Sequence, residues 1–245
     1  MLQVLVNGVA LGAAYALLAL GFVLVVNATG AVNFTQGDMV MAGGYAAVAL
    51  AGLWPASNAV PGVVLLPLVL ALMVALGLVF SLFAYFPLKS RPPVAVFIST
   101  IALGIVFQNS ANAIFGPEPR AAPPLWSGGL VTLGPVTLST QALAVIAVAC
   151  ALIVGQHLLF SRTRLGLQLR ATAQDREMAA CVGVRVNPMI ALTFGLAAAF
   201  AGAAGLLLAN SFFVTPTDGS NYIIKAYIAV TIGGLQGHLE LNVFK

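Results

Sequence analysis

Five uninterrupted apolar runs decide what this chain can become. Residues 2–26, 63–86, 94–115, 138–160 and 189–209 contain no Asp, Glu, Lys or Arg. Each exceeds the ~20 residues that a helix needs to cross a hydrocarbon core of about 30 Å. A backbone in lipid must satisfy its own hydrogen bonds, so runs of this length point to helices. The alternating ~10-residue segments of a membrane barrel do not occur in the sequence. Charged residues make up 7% of the chain, against roughly 25% in a globular domain. The expected fold is all-α, a polytopic helical membrane protein formed as a single domain over residues 1–245.

Two weaker runs make the expected count about six to seven spans. Residues 39–54 are short for a full crossing, and residues 222–235 are too short to decide. The first run has no basic residue before it and is too long for a signal-peptide core, so it reads as a retained span. Gly8 and Gly12 in that span, and Gly195, Ala198, Gly202 and Gly205 in the run at 189–209, provide small-residue faces for close helix approach.

The connections carry the polarity. Residues 27–38, NATGAVNFTQGD, are polar without a basic residue, and a loop and a re-entrant segment both remain open there. A turn is expected over 55–61. PLKSRPP at 87–93 is a basic turn, whose Pro92 and Pro93 suit the first turn of the next helix. Residues 116–137 are rich in Pro and Gly. Asn187 and Pro188 read as the cap and first position of the last long helix.

Lys89 and Arg91 fall on the same side as Arg162, Arg164, Arg170, Arg176 and Arg185, because two spans separate the loops. Arg120, and Lys225 near a span boundary, fall on the other side. The positive-inside rule makes the first side cytoplasmic and the N-terminus periplasmic, provided that residues 39–54 cross. The net charge of +4 is accounted for by this placement and does not indicate nucleic acid.

Residues 162–188 hold five of the ten Lys and Arg in the chain. Their Ala, Arg, Gln, Glu and Met content favours a helix. Arg170, Gln174 and Glu177 would share its face at i, i+4 and i+7, and Gly183 would stop it. A short helix in cytoplasmic water, tied at both ends to spans, could pass motion between a soluble motor and the membrane. An ordinary basic loop is the alternative.

No enzyme signature is present. The chain has no Walker-type phosphate loop. His157 and His238 are far apart and lack the neighbours a metal needs, and Cys150 and Cys181 read as unpaired thiols. Nor does the sequence pair carboxylates within a span, as an ion-coupled carrier often would. The expectation is a non-enzyme without cofactor or metal, energised by another subunit. Gln108, Asn109 and Asn112 form a polar cluster in the fourth long run. They serve either as glue between helices or as lining of a solute path. Asp38 either favours the start of the second helix through its dipole or belongs with Asn33 and Gln36, which like the amides of the fourth run line a path or pack helices together.

Three blocks of residues resemble the branched-chain amino acid ABC transporter permease family, in its smaller-subunit type. They are Asn33-Phe34-Thr35-Gln36-Gly37-Asp38; Ile98-Ser99-Thr100 through Phe115-Gly116-Pro117-Glu118-Pro119; and the series Arg164-Leu165-Gly166, Arg170-Ala171, Gln174-Asp175, Glu177, Ala179 and Gly183-Val184. The resemblance implies a permease domain in a bacterial inner membrane, importing branched-chain amino acids. Its partners would be a second homologous permease, two cytoplasmic ATPases that bind the ATP, and a periplasmic binding protein. Arg170, Gln174, Asp175, Glu177, Ala179 and Gly183 would form the ATPase-coupling surface. Urea or short amides are alternative solutes within the family, and an ion-coupled carrier is the alternative outside it. The family continues beyond Gly233-Gly234 with at least one further span, which is expected to be missing from this chain.

Overall fold

Each apolar run becomes a helix in the computed structural model, which describes residues 2–53, 61–126, 130–133 and 136–233. The order is α1 (Leu2–Thr29), α2 (Gln36–Gly52), α3 (Gly62–Ala84), α4 (Pro93–Phe115), α5 (Thr140–Arg162), α6 (Arg164–Gln174), α7 (Arg176–Cys181), α8 (Val186–Ser211) and α9 (Asp218–Ile232). A 3₁₀ turn, Phe86–Leu88, follows α3. Two strands, β1 (Leu130–Leu133) and β2 (Val136–Ser139), pair antiparallel ahead of α5, where an irregular loop was expected. Most of the expected turn at 55–61 lies outside the described residues, as do residues 234–245 with His238, on which the expectation of a missing span rests.

Among the described residues five stretches are long and apolar enough to cross a membrane: Gln3–Thr29, Gly62–Leu88, Pro93–Phe115, Thr140–Arg162 and Val186–Ser211. α2, with 17 residues, and α9, with 15, reach only about 26 and 22 Å at a rise of ~1.5 Å per residue. Both fall short of the ~30 Å hydrocarbon thickness.

The helices are organised around α8. Most of it is buried within the chain, whereas the other four long helices bury well under half of theirs. Its small residues explain this. Between Gly195 and Gly205 the face is Gly and Ala except at Leu196 and Phe200, so α1, α2 and α3 can all lie close against it. Gly43 of α2 meets Gly202 backbone, and Gly205 meets the Val40 carbonyl; a side chain at either point would separate the helices. α8 begins at Val186 with Arg185 in the cap position, two residues before the cap expected at Asn187. Once Val186 packs partly buried, helical geometry extends back to it and Pro188 falls within the first turn.

α3, α4 and α5 present their apolar sides outward. Leu68, Leu72 and Phe83 of α3, Ile98, Ile105 and Ile114 of α4, and Val154 and Leu158 of α5 are all exposed. Such faces suit a lipid or protein environment and not water.

Candidate functional site

The polar residues gather in two places. The first lies at the basic end of the bundle, where α6 and α7 hang between α5 and α8. Thr163 caps α6, its hydroxyl accepting from Gly166 N at 3.0 Å. Gly166 packs directly on the backbone of Leu159 and Phe160, folding α6 back against the end of α5.

The expected single helix is two helices. Asp175 has extended backbone (φ −154°, ψ 113°) and caps α7, its Oδ1 accepting from Glu177 N at 2.9 Å and Met178 N at 3.0 Å. Asp breaks the helix because its carboxylate offers these amides a partner that an uninterrupted helix would have supplied from its own backbone. Arg170, Gln174 and Glu177 therefore do not share a continuous helical face. Gly183 ends α7 at φ +87°, with Val184 N donating to Ala179 O at 3.0 Å; the expected stop is present.

Gln174, Asp175 and Glu177 are exposed and Ala179 is buried. Arg170 is half-buried, and its Nε finds no partner among the described residues. Met178, Cys181 and Val182 are exposed beside Glu177, so the outward surface of α7 mixes one carboxylate with soft apolar groups. Sequence reasoning missed the role of Arg176. Its Nη1 donates to the hydroxyl of Tyr85 at 2.9 Å, and the Tyr85 ring lies 5.9 Å from that of Phe194 on α8. α7 is thus tied to the end of α3 and, through Tyr85, to α8.

The second place is inside the bundle and settles the geometry of residues 27–38. α1 runs on to Thr29, and the chain then turns at Gly30 (φ +66°). It climbs back between helices, and α2 starts at Gln36, whose Nε2 donates to Ala197 O about midway along α8 at 2.9 Å. Residues 30–35 therefore lie inside the bundle as irregular backbone that leads from the basic end into α2, which continues to the far end of α8 at Ala209. Irregular backbone at such depth needs partners from protein, and several are in place. Ala31 N donates to Thr29 Oγ1 at 3.2 Å, Phe34 N to Thr100 Oγ1 at 3.2 Å and Thr35 N to Asn33 Oδ1 at 3.1 Å. Thr35 Oγ1 donates to Thr100 O. Asn33, Thr35, Gln36 and Asp38 are all buried.

α9 begins at the same spot. Its Gly219 packs against the Asp38 side chain, and Gly37 against the Gly219 carbonyl; any side chain at these glycines would force the two helix starts apart. Gln108 Nε2 donates to Asp38 Oδ1 at 2.8 Å and lies 3.5 Å from Ser220 Oγ. The junction thus joins α2, α4 and α9 through Asp38, Gln108 and Thr100.

Asn109 and Asn112 do not take part. Asn109 Nδ2 bonds back to Ile105 O at 2.7 Å, and both asparagines are exposed. Steps of four residues drift by about 40° on a helix of 3.6 residues per turn. The inward stripe Val96, Thr100, Gly104 and Gln108 therefore passes to Ala111 and leaves Asn112 outside. A search for small and polar residues at that spacing would have found Thr100 and Gly104 in the sequence. Lys225, expected near a span boundary, instead lies well within α9 beside Tyr15, halfway along α1. A separate cavity of about 480 Å³ opens between α1, α5 and α8 near Gln3, Asn7 and Asn210, and none of the polar residues singled out in the sequence lines it. Among the described residues no group of His, Cys, Asp and Glu is arranged to hold a metal.

Residues 4–243 match the model of a family described as branched-chain amino acid transport system / permease component. The chain is 33% identical to the high-affinity branched-chain amino acid transport system permease protein BraD of Pseudomonas aeruginosa. That match covers 96% of this chain and 79% of the relative. It is 32% identical to the permease protein LivH of the corresponding Escherichia coli K12 system, with the same coverage. A probable branched-chain amino acid transport permease of Methanocaldococcus jannaschii is 26% identical, over 90% of this chain and 70% of the relative. No solved structure shows a significant match.

Proposed function

Because the chain belongs to the branched-chain amino acid transport permease family, we propose that it is the membrane-spanning subunit of an ATP-driven importer of these amino acids. It carries no nucleotide site of its own. Two ATPases outside the membrane supply the energy, a second homologous permease completes the passage, and a solute-binding protein delivers the amino acid from the opposite side. The membrane is the bacterial inner membrane, with the N-terminus periplasmic and residues 87–93 and 162–188 cytoplasmic. The five long helices are joined by α2 and α9 as partial crossings, giving about six to seven spans.

The observation that carries this reading is the hanging pair α6 and α7. A motor can grip only a structured element in water, and a grip is useful only if that element is fixed to the spans. Asp175 and Gly183 fix the ends of α7, Ala179 seats it, and Glu177 with Met178 and Val182 faces outward. Arg176 joins it to Tyr85. Arg170, Gln174, Asp175, Glu177, Ala179 and Gly183 make up or support the coupling surface. Asn33, Gln36, Asp38 and Gln108 belong to the closed central junction, while Asn109 and Asn112 face away from it.

The test is reconstitution of the complete complex in vesicles, with leucine uptake measured against ATP supply. ATP-dependent leucine uptake is expected. Uptake of urea or acetamide in its place would move the chain to the amide branch of the family. Accumulation by this chain alone under an imposed proton or sodium gradient would overturn the reading.

A further inference from the structure

Lys225 stands at a depth where a cation needs a reason. Its Nζ donates to the Tyr15 hydroxyl at 3.2 Å and lies 5.4 Å from the centre of that ring. Tyr15 is halfway along α1 and also packs against Tyr222, while two residues beyond Lys225 the Tyr227 ring lies against Phe22 further along the same helix. Lys225 is therefore at mid-membrane level, between two contacts that fix its height. It is also exposed, on a face of α9 that continues through Ile224, Ile228 and Ile232.

An ammonium in that position cannot face acyl chains without a cost of several kcal/mol. Among the described residues its ammonium meets the Tyr15 hydroxyl and ring, and no carboxylate. An ammonium has three N–H donors, so two are left without a partner among the described residues. One helical turn before it, Asn221 is exposed too and adds an amide to the same side. What satisfies such a group is water together with an anion.

We propose that Lys225 lines the solute pathway and holds the carboxylate of the amino acid as it passes the middle of the membrane. The inference rests on the permease reading and deepens it. A branched-chain amino acid offers a short apolar side chain and one carboxylate. The α9 face offers isoleucines and one cation. The Tyr15 ring and hydroxyl hold the ammonium in place without neutralising it, so that the charge is kept for the passing solute. The same carboxylate chemistry could instead come from an acidic side chain of the second permease, and the experiment separates the two.

The complete complex, with its partner permease, ATPases and binding protein, is assayed for leucine uptake in vesicles with Lys225→Met and Lys225→Arg. Loss of a charge-assisted hydrogen bond predicts that Lys225→Met lowers uptake by about tenfold or more, with co-purification of all subunits intact. Lys225→Arg should keep most of it. Uptake by Lys225→Met equal to the unaltered complex would overturn the proposal, and so would selective loss of the second permease, which would assign Lys225 to an ion pair between subunits. A second measurement uses Lys225→Cys in a background of Cys150→Ser and Cys181→Ser. A charged methanethiosulfonate should modify it, and leucine should slow the reaction while leucinol, which lacks the carboxylate, should not. No modification, or equal protection by both, refutes the assignment. Absence of leucine uptake by the unaltered complex in the same vesicles would instead sink the permease reading, and this proposal with it.

Discussion

The central junction can be tested by adding one methyl group. A Cβ at Gly104 would meet the Asp38 carboxylate, with Asp38 Cγ at 3.5 Å and Thr35 Oγ1 at 3.8 Å. Both close neighbours belong to one side chain, so Asp38 must swing away and surrender its hydrogen bond from Gln108. That costs about 2 kcal/mol if the carboxyl is ionised. Replacing Gly by Ala inside a helix returns about 1 kcal/mol. Gly104→Ala is thus expected to destabilise by roughly 1 kcal/mol. In an Asp38→Ala background nothing remains for the methyl group to strike, and the same substitution should stabilise by up to about 1 kcal/mol. The sign reverses, with a coupling near 2 kcal/mol. The assay is a double-mutant cycle on the purified complex in detergent, read as reversible denaturant unfolding followed by tryptophan fluorescence, with leucine uptake measured in parallel. Additive effects, with Gly104→Ala harmful in both backgrounds, would show that Asp38 is not the group packed against α4 and would refute the geometry of the junction.

The cap of α7 gives a second test. Asp175→Ala removes the acceptor for two backbone amides and should cost about 1 kcal/mol. Faster hydrogen exchange over residues 176–181 would register it, with Asp175→Ser largely restoring protection. Glu177→Lys reverses the one carboxylate on the outward surface of α7. It should abolish ATP-dependent uptake while the protein stays inserted, and unchanged uptake with unchanged ATPase co-purification would remove α7 from the docking surface. Gln108→Leu leaves Asp38 without its partner and should impair uptake or stability, whereas Asn112→Leu on the exposed side of α4 should change both little; equal effects would contradict the inward stripe.

The long helices were legible because lipid imposes a rule that acts on local sequence: an apolar run of sufficient length must satisfy its own backbone. Boundaries at Pro93 and Gly183 were legible for the same reason, since proline and glycine act on their own backbone. The break at Asp175 was not, although Asp is a good cap. Helix propensity over 164–181 is high on both sides, and only the competition between one carboxylate and the helix backbone decides where the chain divides.

Residues 27–38 show where local reading ends and why. A polar stretch after a span can lie in water or inside a bundle, and the chain's own residues are the same in both cases. What distinguishes them is whether distant residues supply partners: Thr100 lies 66 residues from Phe34, and Ala197 lies 161 from Gln36. The clue to burial is on α4, where Thr100, Gly104 and Gln108 interrupt an apolar helix at steps of four. A helix otherwise suited to lipid has no use for that stripe unless something polar is lodged against it. The buried segment is then the element that explains α4, and α4 is the element that permits the segment, so neither can be placed without the other. Lys225 extends the same logic to a face that the described residues leave open. A charge within the membrane that the described residues do not neutralise calls for a partner, and an importer of amino acids has one in its solute.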